Sequence, residues 1–180
     1  MQDAALQNKR LVAAGIDILA AIAIGLVFGI AAVVAGMVFG LAGGPSALGN
    51  YAPRFLNLLG AVAGLAFILG RDVLIDGRSP GKKMQDLKVV TTGGAPVTFM
   101  ESARRNAIFA IGSALAVVSA VLHLLPCLGA AVACLLAPVF VLAMLAGLAA
   151  GIVEVIKIVT DPQGVRLGDQ FASTRVVRGR

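Results

Sequence analysis

This chain has little charge. Only 13% of its 180 residues are Asp, Glu, Lys or Arg, about half the ~25% of an ordinary soluble domain. At the same time 59% are hydrophobic, more than a single soluble core of this length could hide, and a lipid solvent removes the need to hide them. Trp is absent, and Tyr and His occur once each. Without an aromatic-rich basic face, the net charge of +6 does not point to nucleic acid. The two cysteines, Cys127 and Cys134, sit in apolar sequence without the short spacing and His partners of a zinc site. They read as small buried hydrophobes, and no metal or disulfide framework is expected. His123 reads as an interfacial side chain, and no Ser-His-Asp or Cys-His constellation is visible. Neither enzyme activity nor a cofactor is expected.

What the chain does have is long apolar runs, at about residues 11–42, 55–75, 106–125 and 128–159. A spanning helix needs about 20 residues, so each qualifies; the first and last exceed the hydrocarbon and must tilt, bend or project. Lys9 and Arg10 precede the first run, but that run far exceeds the ~7–15 residues of a signal-peptide core and reads as a retained span. Residues 43–54, with Gly-Gly-Pro-Ser, read as a polar loop. Pro126 and Gly129 read as the turn of a helical hairpin. The expectation is one domain over residues 1–180, an all-α membrane protein with a four-helix bundle.

Of the 15 basic residues only Arg54 falls between spans one and two or three and four. The others lie before the first span, in the loop of residues 76–105 and its flanks, and at the C-terminal end. The positive-inside rule then puts both termini and that loop in the cytoplasm. Within the loop, residues 86–91 and 96–99 read as two strands about a Gly93-Gly94 turn, and residues 173–177 as a further β-prone run, giving a small cytoplasmic β-hairpin or sheet. Glycines four apart (Gly25/Gly29, Gly36/Gly40, Gly60/Gly64, Gly147/Gly151) suggest close helix approach and a possible homo-oligomer contact. A faint repeat recurs: basic pair, two helices, a loop with Asp and Gly, then Lys88-Val89-Val90 or Arg175-Val176-Val177. Such a parallel repeat about the membrane normal is a plan some transporters use.

Asp17 is the most informative residue, an acid inside an apolar run two helical turns after Arg10. A charge there costs at least ~2.5–3.5 kcal/mol on insertion scales, so it is paired, faces a cavity or is neutral. It reads either as a proton or cation site or as a structural ion pair. Burial raises a carboxyl pKa and a nearby Arg lowers it; their competition would set the state of Asp17. Glu154 and Lys157 are one turn apart and form an expected intrahelical pair, with Glu154 also able to meet Arg10 or another base. Gly77 to Lys83 fails the spacing of a phosphate loop; Arg78, Lys82 and Lys83 are expected instead to meet anionic lipid headgroups.

Several segments carry a resemblance to a known family. Lys9-Arg10 through Asp17, Ser79-Pro80-Gly81-Lys82-Lys83-Met84 through Val90, Arg105-Asn106, and Arg166-Leu167-Gly168-Asp169 through Val177 together resemble the bacterial RDD family, named for an Arg and two Asp. The resemblance implies a multi-pass inner-membrane protein whose Arg–Asp set is Arg10, Asp17 and Asp169, with Asp76 a rival for the second Asp. It also implies cation/proton antiport, other transport or a membrane-assembly role. Two functions are therefore expected to compete: a small-cation/proton or solute transporter built on that set, with Glu154, Lys157 and Arg105 behind it, and a non-enzymatic module binding a partner protein or anionic lipid.

Overall fold

The computed structural model describes residues 4–41, 47–125, 129–161 and 165–179. Four long helices carry the apolar runs: α1 (Ala4–Leu41), α2 (Ala47–Gly70), α4 (Phe99–His123) and α5 (Gly129–Thr160). Between α2 and α4 lie a short helix α3 (Pro80–Met84) and strand β1 (Leu87–Thr91); after α5 come α6 (Leu167–Phe171) and β2 (Thr174–Arg178). Each long helix contains a window long and apolar enough to cross a membrane. The Gly-Gly-Pro-Ser and Pro126 turns inferred from sequence lie largely outside the described residues.

The protein is built inside out relative to a soluble domain. Ile18, Leu19, Ile22, Leu26, Val27 and Ile30 of α1 are all exposed. Of its ten largest fully buried side chains, only Leu87 and Val89 are hydrophobic; the rest include Arg105, Asn106, Asp17, Asp72 and Asp169. Apolar surface needs no shelter from lipid, whereas polar groups must find partners within the protein.

Helix boundaries differ from the sequence expectation for local reasons. α2 begins at Ala47 rather than residue 55, taking in Tyr51 and Pro53, the latter inside the helix, where it lacks an N–H for the i−4 carbonyl. It ends at Gly70, so residues 71–75 are outside it. α4 begins at Phe99, not residue 106, because Thr98 caps it: Thr98 Oγ1 accepts the Glu101 amide at 3.4 Å and Glu101 Oε2 accepts the Thr98 amide at 2.7 Å, a reciprocal capping box. This cap also removes the return strand expected at residues 96–99, leaving a single Val90–Pro96 bridge.

The sheet is instead β1 paired antiparallel with β2, from Leu87↔Arg178 to Thr91↔Thr174, centred on Val89↔Val176. Leu87, Val89 and Val176 point inward onto Ala13 of α1 and Val97. The repeat seen in the sequence is visible around this pair. Ser79 and Arg166 cap α3 and α6 with nearly identical backbone angles. Asp86 and Ser173, just before the strands, both adopt positive φ of 53° and 52°. Equivalent strands pairing about a common centre are what two halves related by a two-fold axis produce. In the helices α2 packs against both α1 and α4, α5 packs on α4, and α1 and α5 barely meet.

The spaced glycines do not all serve packing. A Cβ on Gly60 would stand 2.6 Å from Phe28 Cβ, so α1 and α2 do close there, while Gly25, Gly29, Gly40, Gly64, Gly147 and Gly151 face open space.

Candidate functional site

The loops and helix ends on the sheet side of the bundle enclose a polar cluster, and two glycines let it form. A Cβ on Gly81 would stand 2.1 Å from the Ala13 carbonyl oxygen, and one on Gly168 2.3 Å from that of Arg105. Only glycine permits α3 and α6 to press their first turns onto α1 and α4 this closely. Each turn then meets a buried carboxylate. Asp17 Oδ1 accepts the Gly81 amide at 2.8 Å, and Glu154 Oε1 accepts the Gly168 amide at 3.0 Å. The halves differ in the donor of that acid: Asp17 lies one turn beyond Ala13 on α1, whereas the place one turn beyond Arg105 on α4 holds Phe109, and α5 supplies Glu154.

The remaining contacts form one network. Asp17 Oδ2 accepts from Ser79 Oγ at 2.6 Å, with Lys82 Nζ at 4.0 Å. Lys82 reaches back to Asp72 Oδ1. Asp72 Oδ2 accepts from Asn106 Nδ2 at 3.0 Å and has Arg105 Nε at 3.7 Å. Arg71 donates to Asn106 Oδ1 at 2.6 Å, and Ser102 Oγ to the Leu69 carbonyl at 2.6 Å. Arg105 Nε lies 2.8 Å from Asp169 Oδ1. Arg166 Nε sits 3.5 Å from Asp169 Oδ2 and 3.7 Å from Glu154 Oε2. Arg10 Nη2 donates to the Val176 carbonyl at 3.1 Å, tying α1 to the sheet.

Charge states follow from these neighbours. Burial opposes the charge on Asp72, yet Lys82, Arg105 and Arg71 together hold its carboxyl well below the usual range. Asp169 is likewise lowered, Arg105 and Arg166 outweighing its burial. Burial pushes Lys82 down to about 8, Asp72 offsetting only part of it against the nearby Arg105, Arg71 and Arg166. Arg166 is raised, its three carboxylates prevailing over burial. Asp72, Lys82, Asp169 and Arg166 thus bring charges of alternating sign into the network.

This arrangement gathers Arg10, Asp17, Arg105, Glu154, Asp169 and Lys82 of the sequence-derived residues, with different pairings from those expected. Arg10 bonds the Val176 carbonyl of the sheet. Glu154 turns to α6 and Arg166, and among the described residues Lys157 has no ion-pair partner. Lys82 is buried at 7% exposure and faces the network, not headgroups; Lys83 is exposed and Arg78 packs against Gly179. Asp76 is exposed in the turn after α2, whereas Asp169 is buried. From sequence, Asn106 and Arg166 enter only as members of the resembling segments, and Asp72 and Arg71 are given no place in the site. Two signals were available: an Arg-Asp pair ending an apolar span, and Ser102 and Asn106 four apart on the face that also bears Arg105.

Above the network a chamber of about 530 Å³ opens within the helices, walled by Gly25, Gly29, Gly60, Gly64 and Gly151 and floored by Asp17, Arg71, Glu154 and Arg166. Glycines that leave helix faces bare thus make room in the bundle. One carboxylate oxygen on the floor, Glu154 Oε2, is buried without a hydrogen bond. A second cavity of about 410 Å³ lies toward the opposite end, lined by Arg54, Ser119, His123 and Phe140. Both cavities are lined by Asn57, Ala61 and Ala116. Among the described residues no His, Cys, Asp and Glu group is suited to a metal ion.

The RDD family model matches residues 4–173. The chain belongs to the RDD family. No curated protein and no solved structure matches it. Membership accords with the order of segments on which the resemblance rested, and this RDD protein is a membrane protein by the length and hydropathy of its four helices.

Proposed function

We propose that this RDD protein is a carrier in the bacterial inner membrane, with its basic end and both termini in the cytoplasm, exchanging a small cation or other polar solute for protons. In this reading the chamber is the solute site and the Arg–carboxylate network is its cytoplasmic closure. The observation that supports it is the shared lining of the two cavities. Asn57, Ala61 and Ala116 form a neck between the Arg54–His123 end and the floor that holds Asp17 and Glu154. Intramembrane carboxylates reached by such a route are the usual marks of ion or proton pathways.

The coupling carboxylate moves from Asp17 to Glu154 in this reading. Both oxygens of Asp17 are held by Ser79 and Gly81, whereas Glu154 keeps Oε2 unbonded beside the chamber. Proton-coupled cation flux in proteoliposomes tests this. Glu154→Gln is expected to abolish flux at equal reconstitution. Wild-type flux no greater than that of empty vesicles, across several cations, would overturn the carrier reading.

That failure would favour an assembly or lipid-binding module, for which one observation speaks. Met84 of α3, next to Lys83, and Phe171 of α6 are 69% and 75% exposed, giving both short helices an apolar foot for a bilayer interface.

A further inference from the structure

Arg105 is 1% exposed, and its Nε, Nη1 and Nη2 atoms are buried without a hydrogen-bond partner among the described residues. Its ion pairs with Asp169 and Asp72 lie at 2.8 and 3.7 Å, but the first is not aligned with the Nε–H bond as a hydrogen bond requires and the second is too long for one. A guanidinium has five N–H donors, and buried charged donors left unmet are among the most costly features a fold can keep. Asp169 Oδ1, itself buried without a hydrogen bond, meets Nε as an ion pair, but among the described residues no acceptor is supplied to Nη1 and Nη2.

A cavity of about 30 Å³ lies beside it, lined by Arg10, Arg71, Lys82, Arg105 and Arg166, with Asp17 the only carboxylate. Asp17 has Ser79 Oγ and the Gly81 amide on its two oxygens, and among the described residues no hydrogen bond or ion pair joins it to Arg105. A water-sized body needs roughly 10–15 Å³ of such space, so the cavity accommodates one or two such bodies. A tetrahedral oxyanion is too large. Five basic side chains and one carboxylate line this space, while Asp72, Asp169 and Glu154 pair with those bases from outside the lining, so the nearest charges are mostly positive and favour an anion over neutral water. Asp17, Arg71 and Arg166 line both this cavity and the large chamber, giving a route of entry.

We infer that this cavity binds a single monatomic, monovalent anion of the halide class, held by Arg105 and the basic side chains around it. The anion completes the network from within and fastens α1, α4 and the loop after α2 to one another. This inference is independent of the carrier reading: an anion site of this kind would serve a static module equally.

The test uses the full chain purified in detergent. Its thermal stability is measured in chloride and in gluconate at equal ionic strength, and crystals grown in bromide are examined for anomalous scattering. The expected results are a Tm that rises saturably with chloride but not with gluconate, and one bromide peak between Arg71 and Arg105. Arg105→Lys keeps the charge but removes the fork of donors; where it folds, it is expected to weaken chloride dependence at least tenfold. The wild-type measurements decide the matter if it does not fold. Equal Tm in the two salts, or a cavity holding water with no bromide signal, overturns the inference.

Discussion

Gly81 and Gly168 occupy the same place in the two halves of the chain, each with its Cα against a backbone carbonyl of a long helix, that of Ala13 for one and Arg105 for the other. Both amides then reach a buried carboxylate. The network depends on this approach, since a side chain at either position would push a short helix off its partner.

Gly81→Ala and Gly168→Ala should therefore each destabilise the protein strongly, at or above the ~1–3 kcal/mol typical of overpacking. The obstacle is backbone and not a side chain that can swing aside. Gly112→Ala, in the middle of α4 with nothing within 4 Å, should be neutral or stabilising, since Ala exceeds Gly in helix propensity by about 1 kcal/mol. Thermal melts of the three variants in one detergent make the comparison. Equal effects at all three positions would remove the close approach from the account.

Lys82 and Asp72 should show strong coupling. Removing one partner of a buried ion pair leaves the other uncompensated and costs about 3–5 kcal/mol. Lys82→Met and Asp72→Asn are each expected in that range, and the double variant to fall short of their sum by about 0.5–3 kcal/mol. Additive losses would mean that the two side chains do not depend on each other.

Stability should depend on pH in two windows. Asp72 and Asp169 are held below the ordinary carboxyl value of 3.8, so the unfolded chain binds their protons first. Their contribution is complete above that value and is lost as pH falls below it through their folded values. Lys82 is depressed to about 8 from 10.5, so between those values the unfolded chain again holds more protons and stability should rise with pH. Tm measured across both ranges checks the signs. The rise at alkaline pH should vanish in Lys82→Met, provided that this variant remains folded.

The spans and several cluster members could be read from the sequence because lipid imposes simple rules: long apolar runs cross, and an acid such as Asp17 within one must be met by something. Its partners could not be read, because Ser79, Gly81 and Lys82 reach it through a tertiary contact set by Gly81. The starts of α3 and α4 were legible in part. Ser79-Pro80 is a cap followed by proline at the first helical position, and Thr98 with Glu101 is a capping-box pattern. Both were obscured by reading the loop for charge and strands. The role of the spaced glycines was not legible, since the same spacing serves a tight contact at Gly60 and a chamber wall at Gly64.

The carrier account rests on the neck at Ala61 being reachable by water from the end that holds Arg54 and His123. The most direct measurement is thiol accessibility: Ala61→Cys in a background with Cys127 and Cys134 replaced, reconstituted in oriented vesicles and exposed to a charged, membrane-impermeant thiol reagent. The account predicts labelling from the Arg54–His123 side and protection from the side of the sheet, where the ion network closes the chamber. A cysteine unreactive from both sides, or reactive only from the side of the sheet, would contradict it.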